Sequence, residues 1–472
     1  MQVIGGTIKV NNVNDFIMPN LKCVAGAPAP QSESAPINNI RIHSTKKKEG
    51  DKAPPKPIKV TLSDCLSCTG CLTSSEELFK AQDVEEFRRG LECDSKIKVV
   101  TLSPQAIVSL AAKTGLSPEQ VAVGTSNFLK SIGVDYVIDS SIAREITKAQ
   151  IYEDFKKPNR IGPLVTGVCP GVVSFAEKNE PKTLMPQLSV TRSPMLITGA
   201  LVKDNLSKEL GIKPSEIYHA CVMPCFDKKL EAFRPDAKFT DGTQLVDCVV
   251  ATVEFVTVMP EDLTPYLEPS DQELTWFNTL EHEIVQGTSG ATTSGSYAEY
   301  VVAQMEHDNP QINCEQKKIY AEYVVAQMER DYPQINCEQK KMYEGIEFYL
   351  SDEISGFEKR IAVMNGYRNF QRAINQIKGG KSKYDFIELM ACPGGCANGA
   401  GQIKAENPME QKRLLEKVTS LYNALPENNE FKGAYEKALD KWRSANPEYS
   451  NFVYATYEAA RVNELIEAAN AW

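Results

Sequence analysis

Glu388-Leu-Met-Ala-Cys392-Pro-Gly-Gly-Cys396-Ala-Asn-Gly-Ala-Gly-Gln402 joins a short apolar run to two cysteines, a proline and a series of glycines. Thiolates are the strongest soft-metal ligands a protein owns. Two of them at Cys-x3-Cys spacing converge only if the backbone between them bends tightly. Pro393, Gly394 and Gly395 supply that bend, and Gly399 and Gly401 leave room for something bulky against the main chain. The plainer reading is a tight strand-to-helix turn whose cysteines only pack. It weakens because the chain carries two further loops of the same kind.

A second set is Thr61-Leu-Ser-Asp-Cys65-Leu-Ser-Cys68-Thr-Gly-Cys71. Cys-x2-Cys-x2-Cys forms the first three members of the bacterial ferredoxin run, whose fourth cysteine sits four residues on and precedes proline. Here Ser75 and Glu76 take those places. The missing cysteine is the one that serves a second cluster in two-cluster ferredoxins, so its loss agrees with one local cluster. A zinc site is the competing reading, but three thiolates at this spacing favour an iron–sulfur cube. The fourth thiolate must then come from elsewhere in the chain, and Cys23 and Cys93 are the candidates.

The elements that must position the remaining cysteines are short β-branched runs alternating with helical stretches from about residue 96. Ile97 to Leu102 reads as a strand, and Pro104 to Ala112 as a helix with proline in its first turn. Ser117 to Ile132 reads as a helix and Val134 to Ile138 as a strand. Such alternation means βαβ units and a mostly parallel sheet. Three later strands each end in cysteine. Leu164 to Val168 runs into Cys169-Pro170-Gly171, Glu216 to Val222 into Met223-Pro224-Cys225, and Tyr384 to Met390 into Cys392-Pro393. Ligands in open α/β sheets bind beyond the carboxyl ends of the strands. Three such loops would converge on one crevice, and Cys169, Cys225, Cys392 and Cys396 would make the ligand set of a second 4Fe–4S cluster.

The 472 residues suffice for two or three domains, and 42% apolar with 24% charged residues is an ordinary globular composition. A net charge of −10 argues against nucleic acid and anionic membranes as main partners. No apolar run is long enough to span a bilayer, and Met1 to Phe16 resembles neither a secretory leader nor an Arg-rich transit peptide. A cytosolic location is expected, where thiols stay reduced, so the 13 cysteines point to metal instead of disulfides. Gly26 to Pro57 is rich in Pro, Ala, Ser and Lys and reads as a flexible tether. Its Lys46-Lys47-Lys48 run reads as solvated linker, with a nuclear address as the weaker alternative.

Ala298 to Tyr320 is repeated at once as Ala321 to Tyr343, with differences only at His307/Arg330, Asn309/Tyr332 and Ile319/Met342. Two copies are too few for a solenoid. A recent duplication or an assembly artefact is expected, with one copy bulging from the surface. Cys314 and Cys337 are each other's duplicates, which argues against either as a ligand. The glycine-rich turn from Gly287 to Gly295 lacks the Lys-Ser/Thr ending of a phosphate-binding P-loop. Cys93, Cys221 and Cys248 are expected to pack as small hydrophobes, and His219 as a core histidine. Met409 to Leu425, Phe431 to Ser444 and Tyr454 to Ala469 carry helix-spaced apolar residues. Trp472 reads either as a frayed helix end or as a terminal aromatic that a partner captures.

Val165-Thr-Gly-Val-Cys169-Pro, Met223-Pro-Cys225-Phe-Asp-Lys228-Lys-Leu-Glu231 and Glu388 to Gln402 resemble the three active-site loops of iron-only hydrogenases. Together with Asn14-Asp-Phe-Ile, Cys23 and Leu62 to Cys71, the chain is similar to a narrower family. These are the hydrogenase-like cytosolic iron–sulfur assembly factors, also called nuclear prelamin A recognition factor-like proteins. The resemblance covers residues 14 to about 405 and the final Trp472.

It implies an α/β fold of two interleaved lobes with mostly parallel sheets, like the iron-only hydrogenase large subunit. Residues 1–25 would supply Cys23, 26–57 would be linker, and 58–95 a small ferredoxin-like cluster segment. The lobes would span 96–408, including the 298–343 duplication, and 409–472 would be helical. Two 4Fe–4S clusters are implied: Cys23, Cys65, Cys68 and Cys71 for the first, near the surface, and Cys169, Cys225, Cys392 and Cys396 for the second, buried. In the hydrogenases the cysteine matching Cys396 also bridges to a two-iron subsite, and a proton-delivering cysteine precedes the one matching Cys169. Here that neighbour is Val168, which cannot donate a proton, whereas Lys228 is retained. The family therefore implies an assembly protein and no enzyme. Its partners would be an upstream scaffold, a cytosolic targeting complex and apoprotein recipients, without nucleic acid or membrane. A hydrogenase, disfavoured by Val168, and a nuclear prelamin-type binding protein are the alternatives.

Overall fold

The computed structural model describes residues 84–93, 96–158, 160–268, 293–320, 343–352, 355–425, 440, 442–447 and 449–458. Cys23, Cys65, Cys68 and Cys71, and with them the first expected cluster, lie outside the described residues. So do Cys337 with nearly all of the second repeat copy, and Trp472.

α1 (Val84–Leu91) leads into β1 (Ile97–Leu102), α2 (Pro104–Thr114), α3 (Pro118–Ser131), β2 (Tyr136–Asp139) and α4 (Ser141–Lys156). Next come β3 (Leu164–Thr166), α5 (Pro170–Asn179), α6 (Pro194–Leu201), β4 (Ile217–Met223), α7 (Asp227–Ala232), β5 (Cys248–Ala251) and α8 (Thr252–Phe255). The later elements are α9 (Tyr297–Asp308), β6 (Asn313–Tyr320), β7 (Tyr343–Asp352), β8 (Phe357–Asn365), α10 (Tyr367–Lys378), β9 (Phe386–Met390), α11 (Pro408–Asn423) and α12 (Tyr449–Val453).

Two sheets are interleaved along the chain. One has the order β2-β1-β4-β5 and is parallel throughout. The other has the order β3-β9-β8-β7-β6, parallel across β3, β9 and β8 and antiparallel from β8 to β6. Central parallel strands are covered on both faces and so read as continuous apolar runs. β4 is such a strand, with all seven residues buried. In β1 the pleat sends Val99 and Val100 into different cores, one on each face. Burying each such side chain contributes about 1.5–3 kcal/mol.

Local signals agree with this packing. Ser103 caps α2 by accepting the amide of Ala106, and Ser117 and Gln120 form a capping box at α3. Proline stands in the first turn of both helices, where no amide donor is needed. The first repeat copy is part of the fold: it forms α9 and β6, and Val301 and Val302 are buried. The second copy, apart from Tyr343, lies outside the described residues.

One expectation is corrected. Tyr454 to Glu458 form no helix, although the apolar spacing suggested one. Tyr454 bridges Thr191, and the amides of Ala455 and Thr456 go to the carbonyl of Val190 and the carboxylate of Asp236. These partners use the backbone groups that a helix would have paired internally. No described helix is long and apolar enough to cross a membrane.

Candidate metal centre

The three cysteine loops leave the carboxyl ends of β3, β4 and β9, the first and last of which are hydrogen-bonded neighbours. Cys169 stands immediately before α5, where burial raises its pKa and the nearby backbone of Ala391, Val172 and Gly171 opposes that rise. Cys225 lies between β4 and α7, and its Sγ accepts the amide of Asp227 at 3.4 Å. The turn at Cys392 and Cys396 passes through two left-handed glycines, Gly394 at φ 75° and Gly395 at φ 80°. That is the bend the sequence calls for.

Gly399 does a different job from the one expected. A Cβ there would come within 2.2 Å of the Pro224 carbonyl oxygen, so the space it leaves is filled by the neighbouring cysteine loop. The Gly401 amide completes the contact by donating to the same oxygen at 3.0 Å. The glycines after Cys396 thus dock one cysteine loop on another.

Cys169, Cys225, Cys392 and Cys396 line a single cavity of about 60 Å³. Val168, Met195 and Lys228 share its wall. Burial raises the pKa of all four thiols, carrying Cys396 up to about 11. Cys392 and Cys169 raise Cys225 further by like-charge repulsion, and Cys169 and Cys396 do the same to Cys392. Four thiolates cannot share this cavity unless something positive sits among them. Among the described residues, no group of three or more His, Cys, Asp or Glu side chains closes on a point where one metal ion would be held. A polynuclear iron core differs in that each sulfur meets a different iron, so the four need not approach one point. Four cysteine sulfurs are a donor set that suits an iron–sulfur cluster.

Side chains outside the cysteine motifs hold the third loop. Thr293 Oγ1 donates to the Gly394 carbonyl at 2.9 Å and accepts the Ala397 amide at 3.1 Å. Ser294 Oγ accepts the Cys396 amide at 3.1 Å. Glu388, fully buried on β9, accepts the Ala298 amide at 2.9 Å and so fixes the start of α9. Burial pushes its pKa up. Sequence reasoning missed Thr293 and Ser294. The signal was the polar pair at the end of the glycine-rich turn, which cradles a peptide loop.

The other cysteines divide as follows. Cys221 and Cys248 are fully buried in sheet strands, as expected. Cys93 is only partly buried, because it lies beyond the end of α1. Cys314, on edge strand β6, is also partly buried. His219 is a satisfied core residue: Nδ1 lies 2.9 Å from the Leu245 carbonyl, and Nε2 lies 2.8 Å from Thr101 Oγ1. An N–H on Nδ1 donating to the carbonyl leaves Nε2 to accept from the hydroxyl, which is the neutral ring. Burial lowers its pKa to about 4.

Fold and cavity together define an α/β protein of the iron-only hydrogenase type, and comparison with known proteins agrees. The family described as "Iron only hydrogenase large subunit, C-terminal domain" matches residues 96–400. A Brugia malayi protein named probable cytosolic Fe-S cluster assembly factor is 36% identical over 99% of this chain and 98% of its own. A Caenorhabditis elegans relative with the same designation is 36% identical over 97% of both chains. A Xenopus tropicalis cytosolic Fe-S cluster assembly factor is 31% identical over 89% of this chain and 88% of its own. Among solved structures, an FeFe-hydrogenase aligns with a TM-score of 0.60 at 20% identity, covering 80% of this chain and 99% of that one. One from Chlamydomonas reinhardtii gives 0.58 at 22%, with the same coverage. At that identity the structures speak to fold alone. The chain belongs to the iron-only hydrogenase-like family of cytosolic iron–sulfur cluster assembly factors.

Proposed function

We propose that this protein serves cytosolic iron–sulfur protein assembly as a carrier and adaptor without enzymatic activity, holding two 4Fe–4S clusters. Cys169, Cys225, Cys392 and Cys396 would hold the buried cluster. Cys23, Cys65, Cys68 and Cys71 would hold the first, which would be the exchangeable or electron-passing one. The protein would link an upstream scaffold to a downstream targeting complex and help pass clusters to apoproteins in the cytosol. A bound cluster supplies a one-electron store and a covalent tie between the loops.

The observation that carries this reading is the single cavity lined by cysteines from three separate loops, with Val168 beside Cys169. The side chains present enclose and orient. Ser294 and Thr293 set the Cys392 to Cys396 turn, and the amide of Asp227 directs its N–H dipole at the Cys225 sulfur. Such N–H donation stabilises a thiolate bound to metal. Lys228 Nζ is 2.5 Å from Glu231 Oε2, so its charge is already answered by a carboxylate.

The test is iron and labile sulfide per chain after anaerobic purification, with a low-temperature paramagnetic resonance spectrum. About eight irons are expected, and a colourless, zinc-rich preparation would overturn the proposal. The fold also favours a second reading, an iron-only hydrogenase. Hydrogen evolution from a strong reductant decides it, and no sustained turnover is expected because the valine cannot relay a proton.

A further inference from the structure

α7 opens with a carboxylate that the expected ligand set does not use. Asp227 follows Cys225 by two residues and donates its own amide to that sulfur at 3.4 Å. Its side chain turns back toward Cys169. A Cβ built on Gly171 would lie 3.1 Å from Asp227 Oδ2 and 3.6 Å from Cys169 Sγ. The carboxylate and the sulfur thus flank one small space, open only because residue 171 has no side chain. Ala391 Cβ, from the loop that carries Cys392, borders the same space at 3.9 Å. Asp227 therefore stands beside the loops that carry Cys225, Cys169 and Cys392.

Burial raises the pKa of Asp227, and a hydrogen bond with the Cys225 side chain opposes that rise. Asp227 forms no ion pair among the described residues. Lys228, next in sequence, is engaged with Glu231, and Lys404 with the Oδ1 of Asn398 at 2.9 Å. Lys228 and Lys178 act on Asp227 only through space. The side chain is half-buried, so its carboxylate faces solvent as well as the cysteine loops.

We propose that Asp227 is the tuning residue of the buried cluster: its carboxylate, seated over Gly171 between Cys225 and Cys169, biases the cluster toward its oxidised level. The inference rests on the four-cysteine reading of the cavity. One-electron reduction adds negative charge to the cluster. A negative group nearby makes that electron harder to place. The electron comes from an external donor, no bond forms or breaks, and Asp227 exchanges no proton in the step. A cluster so biased stays oxidised while the other takes up and returns electrons.

The experiment uses the full chain carrying Cys65→Ser and Cys68→Ser, so that the buried cluster is the one observed. Its midpoint potential is measured anaerobically by titration with dithionite and mediators, followed by paramagnetic resonance. Asp227→Asn is expected to move the midpoint to more positive values at unchanged iron content, whereas Asp227→Glu stays near the parent. An unchanged or more negative midpoint in Asp227→Asn overturns the proposal. If Asp227→Asn does not retain iron, Asp227→Ser provides the same comparison. Loss of iron from both, with retention in Asp227→Glu, would overturn it in favour of a role in holding the cluster. Absence of iron from the Cys65→Ser, Cys68→Ser parent would instead overturn the site reading itself, and the tuning role with it.

Discussion

Thr293 grips Gly394 and its loop through one hydroxyl, which donates to the glycine carbonyl at 2.9 Å and accepts from the backbone three residues on, at Ala397. A hydroxyl can do both at once, and this one is 2% exposed. Thr293→Val keeps the shape and removes both bonds, leaving a buried carbonyl and amide unpaired. A loss of about 1–3 kcal/mol is expected, with lower iron retention at the buried site. Urea melts and iron per chain check this, and Thr293→Ser should restore most of both.

Gly394 and Gly395 share left-handed backbone but differ in surroundings. A Cβ on Gly394 meets nothing within 4 Å, whereas one on Gly395 meets Ser294 Oγ at 2.7 Å and Thr293 Oγ1 at 2.8 Å. Gly394→Ala should cost about 1–2 kcal/mol, the strain of an L-residue in that region. Gly395→Ala should cost more, because it also displaces the two hydroxyls that hold the loop. Paired denaturation curves check the ranking.

Cysteine variants should separate by cavity. Cys169→Ser and Cys225→Ser are expected to lose about four irons per chain, since each removes a wall of the shared site. Cys221→Ala and Cys248→Ala are expected to retain iron and to lose only about 1 kcal/mol of stability by deletion of a buried group. Iron and sulfide analysis distinguishes the two pairs.

His219 sets a pH dependence whose sign follows from its folded pKa of about 4, below the ordinary 6.5. As pH falls through 6.5, the unfolded chain takes the proton first. The stability that the neutral ring contributes is therefore present above 6.5 and lost between 6.5 and about 4. It amounts to at most about 3 kcal/mol. His219→Gln should flatten that part of the curve, even though its stability at neutral pH is lower. Denaturant melts at pH 7 and pH 5 read the difference.

Strands and loops were legible because their causes are local. Ile97 to Leu102 is a β-branched run, Pro104 and Pro118 mark helix starts, and the three cysteine loops follow strand ends. The meeting of Cys169 with Cys392 and Cys396 was legible from topology, since β3 and β9 are parallel neighbours, whereas Cys225 arrives from β4 of the other sheet and no strand pairing places it there. Partners far away in sequence were not. Thr293 reaches Gly394 across a sequence separation of 101, and no periodicity encodes that contact. The docking role of Gly399 was hidden for the same reason, because it depends on where Pro224 arrives. Tyr454 to Glu458 shows the opposite failure: helix-like spacing was overruled by partners on Val190 and Asp236. Cys23, Cys65, Cys68 and Cys71 remain a sequence expectation.

The interleaving of the two sheets has a consequence for synthesis. Cys169 leaves the ribosome more than two hundred residues before Cys396, yet both line one chamber, and the strand before Cys169, β3, is paired to the late strand β9. Nascent chains halted before Cys392 have at most half of the four sulfurs, and β3 lacks its β9 partner. If these four cysteines hold a cluster as proposed, its enclosure would have to wait until translation has passed residue 396.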